Sequence, residues 1–125
     1  LLHRAATLRH RRTRETMAAI EGYAEVLRLR PGHESSIAAL EELSQREEGE
    51  ERVRAARELV LQYEGGEGYG KLVDALEVLA ESDEPAERNA ALRRAARIAE
   101  VGLGDAQRAF RLLARALRER QSEQE

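Results

Sequence analysis

The stretch from Gly65 to Leu72, GGEGYGKL, comes close to a phosphate-binding loop. Gly65, Gly70 and Lys71 have the spacing of the pattern G-x-x-x-x-G-K, whose backbone N–H groups and lysine hold phosphates. That pattern ends in Ser or Thr, which binds Mg²⁺, and it follows a β-strand. Here Leu72 replaces the hydroxyl, and helical periodicity precedes the glycines. We therefore predict a glycine-rich turn between two helices and no nucleotide site.

The other residues that could do chemistry do not form a catalytic or metal site by their spacing. His3 and His10 lie seven residues apart, roughly on one helix face, but no third ligand accompanies them. Adjacent acids such as Glu41 and Glu42 diverge by about 100° around a helix, so they do not converge on one ion. We predict no catalytic residue, no metal site and no cofactor. The serines lie at predicted helix ends, where capping explains them: Ser35, Ser36, Ser44 and Ser82.

The composition is that of a small, polar, all-α domain. Of 125 residues, 36% are charged, 42% are hydrophobic and only 3% are aromatic, a balance typical of helical proteins. The absence of cysteine excludes disulfides and thiolate metal sites. No long apolar run is present, so we expect no membrane partner and a cytoplasmic location. Because Leu1 already lies in a helical pattern, we expect the chain to be part of a longer one.

Charge is distributed unevenly along the chain. Residues 1–30 carry seven Arg against three Glu, residues 31–90 carry six basic against sixteen acidic groups, and residues 91–125 carry eight Arg against five acidic groups. The basic cluster at 9–14 makes nucleic-acid binding an alternative function. The net charge of −3, the acidic middle and the lack of interleaved aromatics disfavour it. Attraction between the basic end and an acidic patch, on another copy or elsewhere in a longer chain, is equally consistent with this pattern.

Apolar residues recur at helical spacing through nearly the whole chain. The pattern predicts about seven helices with short links, so neighbouring helices should be antiparallel. The first covers the segment around Leu2 and Leu8, and the second begins near Met17. The predicted core stripes of the later helices are Ile20, Tyr23, Leu27; Ile37, Leu40, Leu43; Val53, Ala56, Val60; Leu72, Leu76, Leu79; Leu92, Ala95, Ile98; and Phe110, Leu113, Leu117.

The two ends of the chain repeat one another. A shift of ninety residues aligns LLHRAATL with ALRRAARI and brings the following helices into register. This match predicts the same helix-pair unit at both ends. The aligned pairs are Leu2 with Leu92, Arg4 with Arg94, Ala5 with Ala95, Leu8 with Ile98, Ile20 with Phe110 and Leu27 with Leu117.

Residues 17–31, MAAIEGYAEVLRLRP, resemble the second helix of a tetratricopeptide (TPR) repeat, whose pattern is A-I-x-x-Y/F-x-x-A-L-x-L-x-P. Residues 103–117 resemble it too, and residues 56–81 resemble a whole unit. In that unit Tyr63 ends the first helix and Tyr69 starts the second. We expect the glycines between them to be needed for positive φ and because no side chain fits between the helices.

The resemblance implies an all-α, right-handed α-solenoid of antiparallel TPR-like helix pairs. The units are assigned to residues of about 1–31, 50–82 and 86–119, followed by a frayed tail at 121–125. The extra helix at about 34–46 accounts for the uneven spacing of the matching positions, because a regular array repeats about every 34 residues. Those positions are Ala19, Leu72 and Ala109, which lie 53 and 37 residues apart.

The resemblance also implies a non-catalytic scaffold that binds a protein or peptide in a groove lined by the first helices. A carboxylate clamp of the kind some TPR domains use is not supported, since its Asn residues are missing. End-to-end self-association is a further expected interaction. The alternatives are nucleic-acid binding and structural support of an enzyme encoded elsewhere in the chain. The candidate partner-binding residues are Arg4, Arg11, Arg94, Arg97 and Tyr69.

Overall fold

The computed structural model describes residues 2–66 and 68–124, with side chains for 7–66 and 68–122. These residues form an all-α fold with no strand among them. The helices are α1 (Leu2–Leu29), α2 (Glu34–Arg46), α3 (Gly49–Tyr63), α4 (Tyr69–Leu79), α5 (Pro85–Val101) and α6 (Ala106–Gln124).

The described part of the chain has six helices where the sequence pattern predicts about seven. The difference lies at the N-terminal end, where the two helices expected before Pro31 are one continuous helix of 28 residues. The segment RHRRTRET at 9–16 contains neither Gly nor Pro, so nothing interrupts its backbone hydrogen bonds. The N-terminal unit is therefore not a helix pair, although its sequence repeats that of α5 and α6.

Each helix packs against the next one along the chain, and α1 also packs against α3. The largest fully buried side chains come from four helices and form one core. Each of these side chains stabilises the fold by about 1.5–3 kcal/mol through its burial. α5 contributes small residues, among them Ala91, Ala95 and Ala99, which let its neighbours approach closely. The large core residues are Ile20, Leu40, Val73, Leu76 and Leu92.

Ion pairs join each helix to the next helix but one. The partners in the four pairs below lie 30 to 34 residues apart in the sequence, so helices two apart along the chain are neighbours in space. The charged groups thereby brace the stack from outside its apolar core. The pairs are Glu21 with Arg54 at 3.4 Å, Glu41 with Lys71 at 3.8 Å, Arg57 with Glu87 at 2.7 Å and Asp74 with Arg108 at 2.7 Å.

The helix ends differ in part from those predicted. α2 is capped by His33, whose Nδ1 accepts a hydrogen bond from the Ser36 backbone N–H, so the cap is neither Ser35 nor Ser36. The imidazole can accept this bond because one nitrogen of a neutral ring carries a free lone pair. At the other end, α6 extends to Gln124, and the fraying of residues 121–125 stays a prediction.

The turn between α3 and α4 reverses the chain, but for a different reason than the sequence suggested. Tyr63 ends α3 and Tyr69 begins α4, as predicted. Positive φ is confined, among the described residues, to glycines outside this turn. A Cβ atom added at Gly65 or Gly68 would meet no heavy atom within 4 Å. Both expected reasons for the glycines are therefore wrong, because the turn is long enough to reverse without a left-handed residue or a close approach.

Candidate protein interface on the last helix

α6 carries two apolar stripes side by side, and only one of them is buried. Ala109, Leu112 and Ala116 recur at helical spacing and pack into the core beside α5. The second stripe, one residue further around the helix, faces solvent. It consists of Phe110, Leu113 and Leu117, with 73%, 42% and 55% of their surfaces exposed. We call these three residues the α6 stripe.

The corresponding residues of α4 are buried. A shift of 37 residues, the spacing between Leu72 and Ala109, aligns the two helices over two turns. In α4 both stripes are covered, because this helix lies between α3 and α5. Position by position, Val73, Leu76 and Ala80, at most 1% exposed, stand where α6 has Phe110, Leu113 and Leu117. The α6 stripe thus has the residue composition of a helix–helix contact, but no helix in the described part of the chain covers it.

The first helix gives the same comparison. Ile20 and Leu27, which align with Phe110 and Leu117, are 0% and 2% exposed. They are buried because α1 packs against both α2 and α3. Two of the three aligned helices are therefore covered at these positions, and α6 is the exception within the described chain.

Arginines border the α6 stripe. Arg111 and Arg118 are exposed on the same helix, and Phe110 lines an open depression of about 360 Å³ with Glu77 and Arg115. Aromatic and arginine side chains are enriched at protein–protein interfaces because they combine large contact area with directed hydrogen bonds. Phe110 and the neighbouring arginines are therefore residue types that such interfaces favour.

Arg108 holds α6 firmly in place. Burial of its guanidinium opposes the charge, but hydrogen bonds to the carboxylates of Asp74 and Glu77 outweigh this cost and raise the pKa of Arg108 above its ordinary value. Further along the helix, Arg115 donates to the backbone carbonyl of Ala80 at 3.3 Å. Because these three bonds reach α4 or its end, they hold α6 against the rest of the helix stack.

The predicted contact residues on α1 are not brought to this surface. Arg11 is exposed and forms an ion pair with Glu15 one turn away, at 3.3 Å. The Arg4 side chain lies outside those the structure describes. α1 packs against α2 and α3, so Arg11 belongs to the opposite end of the helix stack from α6.

The other predicted contacts lie on α4 and α5, and two of them serve the fold. Arg94 reaches Glu64 at the end of α3, with 2.7 Å between Nη1 and Oε1. The Tyr69 ring, 46% exposed, lies over Gly102, where an added Cβ would come within 2.9 Å of the ring carbon Cγ. Arg97 is exposed on α5, one turn from Arg94. The five candidates therefore do not form one site.

A polar cleft of about 120 Å³ lies between α2, α3 and α4. Burial raises the pKa of the Tyr63 hydroxyl, and the Glu41 carboxylate, to which it is hydrogen-bonded, raises it further. Lys71 Nζ lies 3.8 Å from the Glu41 carboxylate, and Arg52 donates to the Ser44 carbonyl at 2.6 Å. The polar and charged groups of α2, α3 and α4 therefore bind one another in the cleft and hold the three helices together. Lys71, the lysine of the phosphate-loop pattern, is part of this network.

The helical pattern predicts the α6 stripe as core, but the stripe is exposed. The signal available in the sequence was the width of the apolar face. Both α4 and α6 have two adjacent stripes, which is the pattern of a helix contacted on two sides. That width shows that a second neighbour fits there, but the pattern does not tell whether the fold supplies one.

No known protein family, curated protein or solved structure matches this chain. The TPR resemblance therefore rests on its own residues. No helix in the described part of the chain is both long enough and apolar enough to cross a membrane. Within the same residues, no group of three His, Asp or Glu side chains is placed to hold a metal ion.

Proposed function

We propose that this chain is a TPR-like, right-handed α-solenoid that acts as a non-catalytic scaffold and binds a protein partner. Two features support this architecture. The helices pack in chain order, and ion pairs join each helix to the next but one at separations close to the length of a TPR repeat. In such a stack each helix pair buries its apolar faces against the neighbouring pairs.

The observation that carries the proposal is the exposure of the α6 stripe. Phe110 is 73% exposed although its counterparts Val73 and Ile20 are fully buried. A contiguous apolar stripe with an aromatic anchor, bordered by arginines, marks a contact surface on a polar protein. The partner that fits it is a helix with small and apolar side chains, since that is what covers the corresponding stripe of α4.

The groove along the first helices is the second candidate surface of the same scaffold. Arg97 is exposed on α5 and is its available cationic contact, whereas Arg94 already pairs with Glu64. We favour the α6 stripe because its apolar side chains gain most from being covered. Nucleic-acid binding is disfavoured because part of the N-terminal positive charge is already neutralised within the protein. Arg12 forms an ion pair with Glu47, with 3.5 Å between Nη2 and Oε1.

The test is affinity capture from a lysate of the source cell at low and moderate salt, with identification of what is retained. Three variants are compared with the wild type: Phe110→Glu with Leu117→Glu on the α6 stripe, Arg94→Glu with Arg97→Glu in the groove, and Leu61→Glu as control. Leu61 is 58% exposed on α3, so this variant controls for a charge added at an exposed apolar position away from the α6 stripe. We expect a discrete protein that the α6 variant loses and the control keeps.

Three results would contradict this proposal in different ways. Loss only from the groove variant would move the binding surface to α5. Retention of nucleic acid, released by moderate salt, would favour the basic N-terminal end, because counterion release makes such binding strongly salt-dependent. A partner retained equally by all variants would show that neither the α6 stripe nor the groove binds it. Circular dichroism of each variant shows whether the fold is kept.

A further inference from the structure

Arg111 lies at the end of a series of ion pairs that joins α2, α4 and α6. Glu41 of α2 pairs with Lys71 of α4, and Asp74 of α4 pairs with Arg108 of α6. In α4, the acid that reaches the later helix follows, by three residues, the cation that the earlier helix reaches. The same spacing in α6 leads from Arg108 to Arg111. The position from which α6 would reach a further helix therefore carries a positive charge instead of a carboxylate.

α3 shows what an arginine at this position binds. Arg54 of α3 is reached by Glu21 of the earlier α1, at 3.4 Å, and Arg57 follows it by three residues. Arg57 in turn donates hydrogen bonds of 3.1 and 2.7 Å to the carboxylate of Glu87 on the later α5. α6 also has two arginines three residues apart, but no carboxylate among the described side chains pairs with Arg111. A carboxylate on a further helix would pair with Arg111 as Glu87 pairs with Arg57.

A second exposed arginine lies on the same edge of α6. Arg118 follows Arg111 by seven residues, which places it on the same helix face about 10.5 Å further along. Both are exposed, and neither has an ion-pair partner among the side chains that the structure describes. Glu119, the one described carboxylate of α6, is used within the fold, since it pairs with Arg88 and Arg115. The outer face of α6 is therefore apolar and positive, although the net charge of the chain is −3.

We propose that the partner of the α6 stripe is an acidic amphipathic helix. Its apolar side chains cover Phe110, Leu113 and Leu117, and its carboxylates, two turns apart along one edge, pair with Arg111 and Arg118. This inference rests on the proposed function of the α6 stripe and names the chemistry of its partner. The apolar contact supplies the affinity, and the two ion pairs select an acidic helix and fix its position along α6.

Both parts of this contact have a counterpart inside the fold. The apolar part corresponds to the burial of Val73 and Leu76 in α4, which lies between two neighbouring helices. The charged part corresponds to the pairing of Arg57 with Glu87. These counterparts favour a helix over a lipid surface as the occupant. A second α6 in antiparallel contact is disfavoured, because it would bring its own arginines to the same edge, where like charges repel.

The test selects binders of the whole chain from a displayed library of helical peptides of about 18 residues, or five turns. The apolar stripe of the peptides varies among Ala, Val, Leu and Ile, and the edge positions vary among Glu, Gln and Lys. We expect the selected peptides to carry Glu at edge positions two turns apart. Non-specific attraction to a chain of net charge −3 would enrich Lys instead, so the charge of the selected peptides is informative.

The decisive measurement is the affinity of one selected Glu peptide, and of its Lys counterpart, for charge-reversed variants. Arg111→Glu with Arg118→Glu should weaken binding of the Glu peptide about tenfold and strengthen binding of the Lys peptide. Arg14→Glu with Arg30→Glu is the control, because it makes the same change in net charge at exposed positions in and just after α1. The control should bind the Glu peptide like the wild type, and all variants should keep their helical content by circular dichroism.

Several results would overturn the inference. One is a selection that yields Lys or no charge preference at the edge positions. Another is an Arg111→Glu, Arg118→Glu variant that binds the Glu peptide like the wild type. If the wild type instead sediments with phosphatidylserine vesicles, and the Phe110→Glu, Leu117→Glu variant does not, the occupant is a membrane surface.

The outcome also separates this inference from the proposed function. The capture experiment can retain a protein through the α6 stripe while the peptide selection shows no preference for Glu. The scaffold function then stands, and the acidic helix fails. If neither the captured protein nor the selected peptides are lost from the Phe110→Glu, Leu117→Glu variant, both proposals fail.

Discussion

The helix pairs α3–α4 and α5–α6 are built alike but have different surroundings. In each pair, the second helix has two adjacent apolar stripes at aligned positions. α4 lies between α3 and α5, so both of its stripes are buried, whereas the second stripe of α6 is exposed. An apolar residue type therefore does not by itself decide burial. The neighbouring element decides it, and the difference between α4 and α6 locates the candidate interface.

The turns inside the two pairs also differ. In the α3–α4 turn no described glycine has positive φ, and a Cβ added at any of them would meet no close contact. The α5–α6 turn contains Gly104 at φ +64° and Gly102 against the Tyr69 ring. Both turns contain glycine, but only the second places steric demands on it. Four predictions test these contrasts.

The largest effect should come from shortening the same side chain in both pairs. Leu76, 1% exposed in α4, aligns with Leu113, 42% exposed in α6. Leu76→Ala should lower the free energy of unfolding by about 2–5 kcal/mol, because it leaves a cavity in the core. Leu113→Ala should cost about 1 kcal/mol or less in the monomer, because part of its surface is already hydrated. Urea unfolding of both variants measures the difference, and equal losses would refute the contrast between α4 and α6.

The next effect concerns Gly102, which aligns with Gly65. An added Cβ at Gly102 would lie 2.9 Å from both Tyr69 Cγ and the Ile98 carbonyl oxygen. Gly102→Ala should therefore destabilise the protein by about 1–3 kcal/mol through overpacking. Gly65→Ala is the control, since a Cβ added there would meet no heavy atom within 4 Å and its φ is not positive. Thermal unfolding compares the two, and a Gly102→Ala variant as stable as the control would show that the Tyr69 ring gives way.

A third comparison concerns backbone conformation alone. Gly104 has φ +64° with nothing near a Cβ, whereas Gly68 has φ −82° with equally open space. Gly104→Ala should cost about 1–2 kcal/mol because an L-residue is strained at positive φ. Gly68→Ala should be close to neutral, because the reduced entropy of the unfolded chain offsets the weaker preference of alanine for the N-cap position of α4. Chemical denaturation measures the unfolding free energy of both variants. Similar losses for the two would contradict the backbone conformations of these two turns.

The smallest effect concerns the link between the two pairs. Arg57 and Glu87 form a bidentate ion pair, and the hydrogen bond from Arg57 lowers the pKa of the Glu87 carboxyl despite partial burial. Its stabilisation should be complete above the unfolded pKa of glutamate and should disappear as the pH falls through the lower folded pKa. Because both groups are partly exposed, we expect at most about 1 kcal/mol.

This pH dependence is measured on the Glu87→Gln variant. The difference in unfolding free energy between it and the wild type should be present at neutral pH and shrink toward zero in acid. Glu15→Gln, which breaks the exposed pair with Arg11, is the control and should show a smaller difference at every pH. A Glu87→Gln difference that grows on acidification would contradict the lowered pKa.

Much of the fold could be predicted from local pattern. The spacing of apolar residues placed α2 to α6, and the glycines and Pro85 marked the breaks between them. The continuity of α1 could not be predicted from the apolar pattern, because the internal repeat suggested two helices here. Residues 9–16 contain neither Gly nor Pro, so the helix continues through them. The candidate site could not be predicted in the same way, because Phe110, Leu113 and Leu117 fit the pattern of core residues and only their exposure distinguishes them.

The sequence by itself determined that this protein is helical, where most of its helices end, and which faces of them are apolar. These properties depend on hydrogen bonds and side-chain periodicity within a few residues. Only the tertiary structure decided that Val73 and Leu76 are buried while Phe110 and Leu113 are exposed. The physical reason is that burial is a relation between elements. A stripe is apolar through its own residues, but water leaves it only when another helix covers it.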